Sequence, residues 1–386
     1  MEHWKFILIG ITGDLAQRKI LPAVSQFASR FKDQVRVELL GYSRSIPDTR
    51  QINSILDLHS EEDTHVLANI QYQQGSYEDP GFFIDVMNSL KDNERTVVYF
   101  AVPPHVFLTL LQTFCPYGED RIDIIIEKPF GRDLQEARAM LKKITSCGLE
   151  EEVHFCDHYL FKDTARIRNL PLAETLEHNY SLRYQDITSI RVQALESLDV
   201  QDRGGYYDTV GALKDMLPAH LFSMASSLLM KLTHGNPSVA AFFKNIEVTD
   251  LSLGQYHEYT SDIGVETSTT DTYFSVEGKN GFHVYFESGK KLAGKCTGIR
   301  VEFSNDFSLK WNIAPRGMLE VLEGNRVVTS WNLNNGNTLD HTNMFEDILR
   351  RTDDRFVDNE SALEGWKFYE KVVAYQKKRA IVPQIY

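Results

Sequence analysis

The chain has 386 residues, more than one ordinary core accommodates, so two domains are expected. With 41 basic against 54 acidic residues its formal charge is −13, which disfavours nucleic acid as a partner, and no long basic run offsets it. Charged residues at 25% and the hydrophobic set at 42% are ordinary for a globular protein, and no apolar run approaches the ~20 residues needed to span a membrane.

In chain order, Phe6 to Ile9 is a short apolar run that ends in glycine, and no signal peptide is expected before it. A helical pattern follows from Leu15 to Arg30. Val35 to Leu40 reads as the next strand, then Gly41-Tyr42-Ser43-Arg44. Thr96 to Val102 is another strand, ended by Pro103-Pro104. Ile122 to Ile126 reads as a fully apolar strand, ended by Glu127-Lys128-Pro129-Phe130-Gly131. A helix from Leu134 to Ser146 closes this half. Doubly buried runs alternating with helices predict an α/β Rossmann domain, a doubly wound parallel sheet. The second half has closely spaced strands at Ile246–Gly254, Thr272–Gly278, Phe282–Ser288, Gly298–Phe303, Met318–Leu322 and Val327–Asn332. Turns such as Gly278-Lys279-Asn280-Gly281 separate them, and a final helix spans Ser361 to Lys377. That predicts an α+β domain with a large, mainly antiparallel sheet. The boundary is placed near 155, giving domains 1–155 and 156–386.

Cys115, Cys147, Cys156 and Cys296 form no CxxC pair and no disulfide framework, which points to a reducing compartment and a cytoplasmic location. Cys156 falls in an apparent strand and is read as structural.

Gly10-x-x-Gly13-Asp14-Leu15-Ala16 lies between the first strand and first helix, where a glycine turn lets backbone approach a pyrophosphate and the helix N-terminus favours its charge. Gly10, Thr12, Gly13, Asp14 and Leu15 are the candidate contacts there; a plain turn is the alternative. After the second strand no acid follows Gly41, while Ser43 and Arg44 can both take a 2′-phosphate. NADP is therefore expected over NAD, the alternative being that Arg44 is a surface arginine. Ala101 and Pro103 stand where backbone passes the nicotinamide ribose.

Asp157, His158, Tyr159 and Lys162 follow the strand that leaves the first domain. An imidazole, a phenol and an ammonium suit a phosphate clamp, although a solvated charged turn has the same composition. Glu196 and Asp208 flank a Gly204-Gly205 turn and can accept from sugar hydroxyls. His220, on the helix that follows, can titrate near neutrality and suits a general base; a satisfied helix histidine is the alternative. No ligand spacing suggests a metal. Lys290, Lys291 and Lys295 read by themselves as a solvated turn.

Together these segments resemble the glucose-6-phosphate dehydrogenase family. Gly10–Ala16 matches its GxxGDLA start, Glu127–Gly131 its Glu-Lys-Pro-Phe-Gly, Asp157–Lys162 its Asp-His-Tyr-Leu-x-Lys, and Arg203–Leu221 its Arg-Gly-Gly-Tyr-(Phe/Tyr)-Asp…Asp-(Met/Val)…His-Leu. Weaker echoes are Thr267–Phe274, Ser288–Leu292, Asn312–Gly317 and Phe356–Trp366. The resemblance is collinear over almost the whole chain.

It implies transfer of hydride from C1 of a hexose 6-phosphate, with glucose 6-phosphate first among them, to NADP. His220 resembles the base at the C1 hydroxyl and Asp157 its partner. His158, Tyr159, Lys162 and Lys290 resemble the phosphate set, with Lys295 as a further basic residue. Lys128 resembles the lysine that contacts both sugar and cofactor, Pro129 the proline of a switching peptide bond, Glu196 and Asp208 the carboxylates that orient the sugar, and Arg44 the 2′-phosphate ligand. A homodimer is expected.

The chain departs from the family in a shortened segment at Lys279–Phe282, in Phe161 where glycine is usual, in Ala219 before His220, and in Phe155 for a basic residue. Phe161 and Ala219 raise a modified hexose such as an amino-sugar 6-phosphate as an alternative substrate. A Gfo/Idh/MocA-like sugar oxidoreductase and a catalytically silent sugar-phosphate-binding relative would share parts of the same pattern. The phosphate signature argues against the former, and the joint presence of Asp157, His158, Lys128, Asp208 and His220 against the latter.

Overall fold

The computed structural model describes residues 1–46, 48–58, 67–79, 81–88, 94–117, 122–167, 170–233, 242–334, 336, 338–352 and 355–386. Two units compose it, Met1–Phe161 with Asn337–Asn359, and Lys162–Gly336 with Glu360–Tyr386. The first unit therefore ends at Phe161 rather than 155, and a late segment returns to it. Phe161 accounts for the shift. Its ring is buried against Phe356 at 4.9 Å and the Arg355 guanidinium at 5.0 Å, and its carbonyl accepts from Asn343 Nδ2 at 2.8 Å. The side chain of Phe161 is thus spent on the core of the first unit.

In that unit, strands β1 (Glu2–Ile9), β2 (Val35–Ser43), β3 (Leu67–Gln74), β4 (Glu94–Phe100), β5 (Ile122–Glu127) and β6 (Val153–Cys156) form a parallel sheet in the order β3-β2-β1-β4-β5-β6. The order reverses direction at β1, where doubly wound sheets open a crevice at the strands' C-terminal ends. The expected doubly wound sheet is present; β3, rich in glutamine, has no apolar run to announce it. A π-helical turn, Ala16–Ile20, leads into helix α1 (Leu21–Arg30), followed by α2 (Thr49–Leu58), α3 (Gly81–Asn88), α4 (Phe107–Phe114) and α5 (Leu134–Cys147). Helix α5 has clear local stops. The Asp133 side chain accepts from Glu136 N at 2.8 Å, and Gly148 closes the helix in the left-handed region at φ 63°.

All of β5 is buried, including Asp123, which interrupts a strand expected to be fully apolar. Its carboxylate takes Arg95 Nε at 2.6 Å and His154 Nε2 at 2.8 Å. Burial would push that carboxyl up, but these two partners hold it below the usual range. The returning helix, Asp340–Arg350, docks on α1: Phe345 meets Phe6 at 4.9 Å and Phe27 at 5.8 Å, and Thr342 Oγ1 donates to Ala23 O. Burying one such phenyl ring is worth about 2–3 kcal/mol.

The cysteine expectation is overturned. Cys115 and Cys147 form a disulfide across a sequence separation of 32. They sit just beyond α4 and at the end of α5, neighbouring helices that enter and leave β5, so topology brings together what spacing kept apart. The argument from cysteine usage to a reducing compartment falls with it. Cys156 is buried and free in β6, as expected for a structural residue.

The second unit is built on a sheet of order β14-β13-β12-β11-β7-β10-β9-β8-β15. Its strands are β7 (Ile187–Leu195), β8 (Glu247–Gln255), β9 (Tyr273–Asn280), β10 (Phe282–Gly289), β11 (Cys296–Phe303), β12 (Phe307–Ala314), β13 (Met318–Glu323), β14 (Arg326–Asn332) and β15 (Gln384–Ile385). Pairing is antiparallel except for β7 with β10 and β8 with β15. In β9 and β10 buried residues alternate with more exposed ones, the pattern of a sheet covered on one face. Helices α6 (Leu172–Tyr180), α7 (Gly204–Met216) and α8 (Phe222–Leu232) and the last helix, Asn359–Arg379, complete the unit. Phe286 of β10 packs on Phe368 of that helix at 5.5 Å. The expected Gly204-Gly205 turn is instead the first turn of α7. No helix among the described residues is long and apolar enough to cross a membrane.

Candidate functional site

The turn after β1 folds tightly. Gly10 takes φ 92°, its amide donates to Tyr42 O at 2.7 Å, and Gly13 N returns to Gly10 O at 2.8 Å. A Cβ on Gly10 would stand 2.2 Å from Ala101 O, so the turn after β1 and the chain after β4 can approach this closely only through glycine. These bare backbones border a cavity of about 360 Å³, also lined by Thr12, Gly13, Arg44, Ser45, Tyr77, Val102 and Pro103. Cradle and helix start fit a dinucleotide.

Arg44 lies at the rim with its guanidinium 5.3 Å from the centre of the Tyr77 ring, and Gln74 Nε2 donates to its carbonyl at 2.9 Å. Ser43 does not line the cavity. It is buried and its hydroxyl donates to Ser45 O at 2.7 Å; Ser45 takes its place, 3.0 Å from the Thr12 hydroxyl. Asp14 is exposed and paired with Arg18 at 2.6 Å, and neither Asp14 nor Leu15 lines the cavity. Tyr77 and Ser45 were missed by sequence reasoning. Tyr77 follows the unrecognised β3, and no local pattern links it to Arg44.

Lys128 follows β5, is half-buried, and precedes Pro129 through a cis peptide bond. Its neighbour Glu127 is buried and accepts from the Tyr99 hydroxyl and from His341 Nε2 at 2.7 Å. Burial favours the neutral carboxyl, but hydrogen bonding and charge from His341 hold it below the usual range. Nothing in the sequence marked His341, which arrives on the returning helix.

Asp157 is buried at the end of β6 and organises the turn: Tyr159 N donates to its Oδ1 at 3.0 Å and Leu160 N to its carbonyl at 2.9 Å. The His158 and Tyr159 rings lie 5.0 Å apart, both half-buried. Lys162 begins the second unit.

In the second unit, parallel pairing does what sequence distance conceals. Leu195 of β7 sits opposite Gly289 of β10, so the residues that follow, Glu196 and Lys290, emerge side by side. Lys290 Nζ donates to Glu196 Oε2 at 2.6 Å and lies 5.9 Å from the Tyr207 ring centre. Burial pushes the Tyr207 phenol up, and the charges of Asp215, Asp271 and Glu196 add to this. Lys295 is exposed just before β11.

Asp208 does not join this cluster through its carboxylate. Ser268 Oγ at 2.6 Å and the Tyr259 hydroxyl at 3.2 Å donate to Oδ1, and those bonds hold its carboxyl low. Asp215 is the buried carboxylate of this helix, accepting from the Tyr206 hydroxyl at 3.2 Å. Its position, five residues before His220 in the same motif, was the overlooked signal.

His220 is buried on a π-helical segment, Leu217–Leu221, between α7 and α8. Pro218 supplies no amide, which suits a widened turn. Gly365 of the last helix lets Pro218 come close; a Cβ there would lie 2.1 Å from Pro218 O.

A six-stranded parallel sheet with a bare glycine cradle at its switch point defines a dinucleotide-binding fold, and the second unit, a mixed sheet, carries a buried helical histidine. Residues 7–167 match the family description "Glucose-6-phosphate dehydrogenase, NAD binding domain", and residues 173–340 its C-terminal domain. The chain belongs to the glucose-6-phosphate dehydrogenase family. It is 29% identical over 352 residues to glucose-6-phosphate 1-dehydrogenase of Bacillus subtilis (strain 168), covering 78% of this chain and 71% of that one. It is 27% identical over 368 residues to the Cyberlindnera jadinii protein of the same name, covering 83% and 72%. A solved glucose-6-phosphate dehydrogenase in complex with its substrate glucose-6-phosphate superposes with a TM-score of 0.81 at 21% identity, over 100% of this chain and 94% of that one. That likeness establishes the shared fold.

Proposed function

We propose that the protein transfers hydride from C1 of glucose 6-phosphate to NADP, releasing the 6-phospho-lactone. The observation that carries the sugar end is the Lys290–Glu196 pair beside Tyr207, with Asp215 acting on the same ring. A cation with carboxylates around an aromatic wall suits a ligand that is anionic at one end and rich in hydroxyls.

The dinucleotide supplies the hydride acceptor. His220 takes the proton of the C1 hydroxyl as the C1–H bond breaks, so that alkoxide character and hydride departure develop together. Asp157 orients His220 and stabilises its charged form. His158, Tyr159, Lys162 and Lys290 hold the phosphate, and Lys295 adds positive charge. Phosphate binding remote from C1 is then available for orientation. Glu196 orients sugar hydroxyls together with Asp215, which takes the role expected of Asp208. Lys128 contacts sugar and cofactor. Arg44, with the Ser45 and Thr12 hydroxyls, takes the 2′-phosphate, and the Gly10–Gly13 turn with Ala101 and Pro103 cradles the rest.

The inward packing of Phe161 removes one of the two residues that favoured an amino sugar. A homodimer and a cytoplasmic setting belong to the same proposal; the Cys115–Cys147 disulfide is the feature that argues against the latter.

The test is reduced-nicotinamide formation from glucose 6-phosphate, an amino-sugar 6-phosphate and unphosphorylated glucose, each with NADP and NAD. Turnover is expected for glucose 6-phosphate with NADP. Preference for the amino sugar would overturn the substrate assignment, and silence on all three the enzymatic one.

A further inference from the structure

Helix α7 does not run straight into the segment that bears His220. At Gly211 the backbone turns out of the helix, with φ 74° and ψ 164°, and helical geometry restarts at Ala212. A restart exposes fresh backbone donors that need acceptors. A single distant residue supplies both. Asp271 O accepts from Ala212 N at 2.8 Å, and Asp271 Oδ2 accepts from Leu213 N at 2.6 Å. The fit depends on Gly211, because a Cβ there would lie 2.6 Å from Asp271 Oδ1. A carboxylate at a helix start also opposes the positive end of the helix dipole.

The next residue ties the same point to the sugar end. Thr272 is fully buried, its amide donates to Gly254 O at 2.8 Å, and its carbonyl accepts from Lys290 N at 3.0 Å. One dipeptide therefore holds the start of the segment carrying Asp215 and His220, and also the backbone of Lys290.

We propose that Asp271 is a positioning residue: by capping the restart at Ala212 and Leu213 it fixes the direction in which Asp215 and His220 are presented, in register with Lys290. This rests on His220 being the base and Lys290 a substrate ligand, as proposed above. Misplacing a reacting group by about 1 Å can cost on the order of 10²-fold in rate.

Three variants of the full chain test it, with two readouts. In Asp271→Ala, kcat with glucose 6-phosphate falls about tenfold or more while the KM for NADP stays within about twofold. Asp271→Asn keeps a carbonyl oxygen for the Leu213 amide and restores kcat to within about threefold. Amide hydrogen exchange over residues 212–221, measured without substrate, accelerates in the alanine variant and not in the asparagine variant. If Asp271→Ala does not fold, Gly211→Ala displaces the same carboxylate and is expected to lower kcat similarly. Wild-type kcat in Asp271→Ala, or a kcat loss with unchanged exchange over 212–221, would overturn the proposal. If wild-type protein lacks the dehydrogenase activity, the proposed function fails by itself, and the exchange data still decide whether Asp271 holds the segment.

Discussion

The dinucleotide cradle and the sugar end are built by different rules. In the first unit every strand that matters runs the same way, so the turns after β1, β2 and β4 arrive at one edge. Gly10, Arg44–Ser45 and Ala101–Pro103 need only follow their strands to line one cavity. In the second unit most pairing is antiparallel. The parallel pair β7–β10 repeats that logic, and it delivers Glu196 and Lys290. Asp215 and His220 follow a helical restart capped by Asp271, 58 residues away from the Leu213 amide it accepts from. The dinucleotide cradle thus rests on local chain geometry, whereas the segment bearing the proposed base His220 depends on distant supports.

The sharpest way to break the comparison is at His220. His220→Ala is expected to lower kcat by on the order of 10²–10⁴-fold with little change in glucose 6-phosphate KM, because a base acts in the transition state. NADP affinity, which belongs to the other rule, stays unchanged in a binding titration. Normal turnover would remove His220 from catalysis.

A second test asks whether the first unit needs a distant support after all. In the chain-entropy description, closing a separation of 32 residues is worth between about 3 and 4.7 kcal/mol. Reduction of Cys115–Cys147, or Cys115→Ser, should lower the melting temperature by several degrees while NADP still binds. Loss of NADP binding in the folded, reduced protein would show that the cradle too relies on a long-range tie.

The same contrast explains what could be read from sequence. The parallel sheet, Gly10, Gly13 and Arg44 were legible because strand-turn-helix order alone places them. Ser43 was chosen and Ser45 missed because Ser43 is still buried within β2, and the hydroxyl that lines the cavity comes two residues past the strand end. Tyr77 was hidden because β3 lacks an apolar run. Asp208 was chosen because it flanks the Gly204-Gly205 pair and Asp215 was given no role, since the turn at Gly211 between them shows only in the backbone. Cys115 and Cys147 meet through the packing of α4 with α5, which no spacing rule expresses.

A third prediction sharpens the support at Asp271. Withdrawal from water pushes its carboxyl from 3.8 up to about 6, against only backbone amides. The folded state then binds the proton more tightly than the unfolded chain between about pH 4 and 6, so this group makes stability fall as pH rises through that window. Below it both states are protonated and the difference vanishes; above it the full cost applies, about 3 kcal/mol at most. Asp271→Asn cannot ionise. Its melting temperature should match wild type near pH 4 and exceed it increasingly up to about pH 6.5, then run parallel. A gap that is constant across that range would mean the carboxyl is not displaced.

The smallest effect is expected at Arg44, where the local rule is at its plainest. Arg44 is exposed, with its guanidinium beside the Tyr77 ring and its carbonyl held by Gln74 Nε2. A charge-assisted contact to a 2′-phosphate at such a site is worth about 1.5–3 kcal/mol, or roughly ten- to a hundredfold, and solvent screening favours the lower figure. Arg44→Ala should therefore raise the KM for NADP about tenfold, leave NAD use unchanged because NAD lacks that phosphate, and spare kcat. Raising the salt concentration should narrow the gap between wild type and variant, as it does for an exposed ion contact. An equal loss for NADP and NAD would instead mean that Arg44 shapes the loop through Tyr77, and that even the cradle owes its form to a residue no local pattern announces.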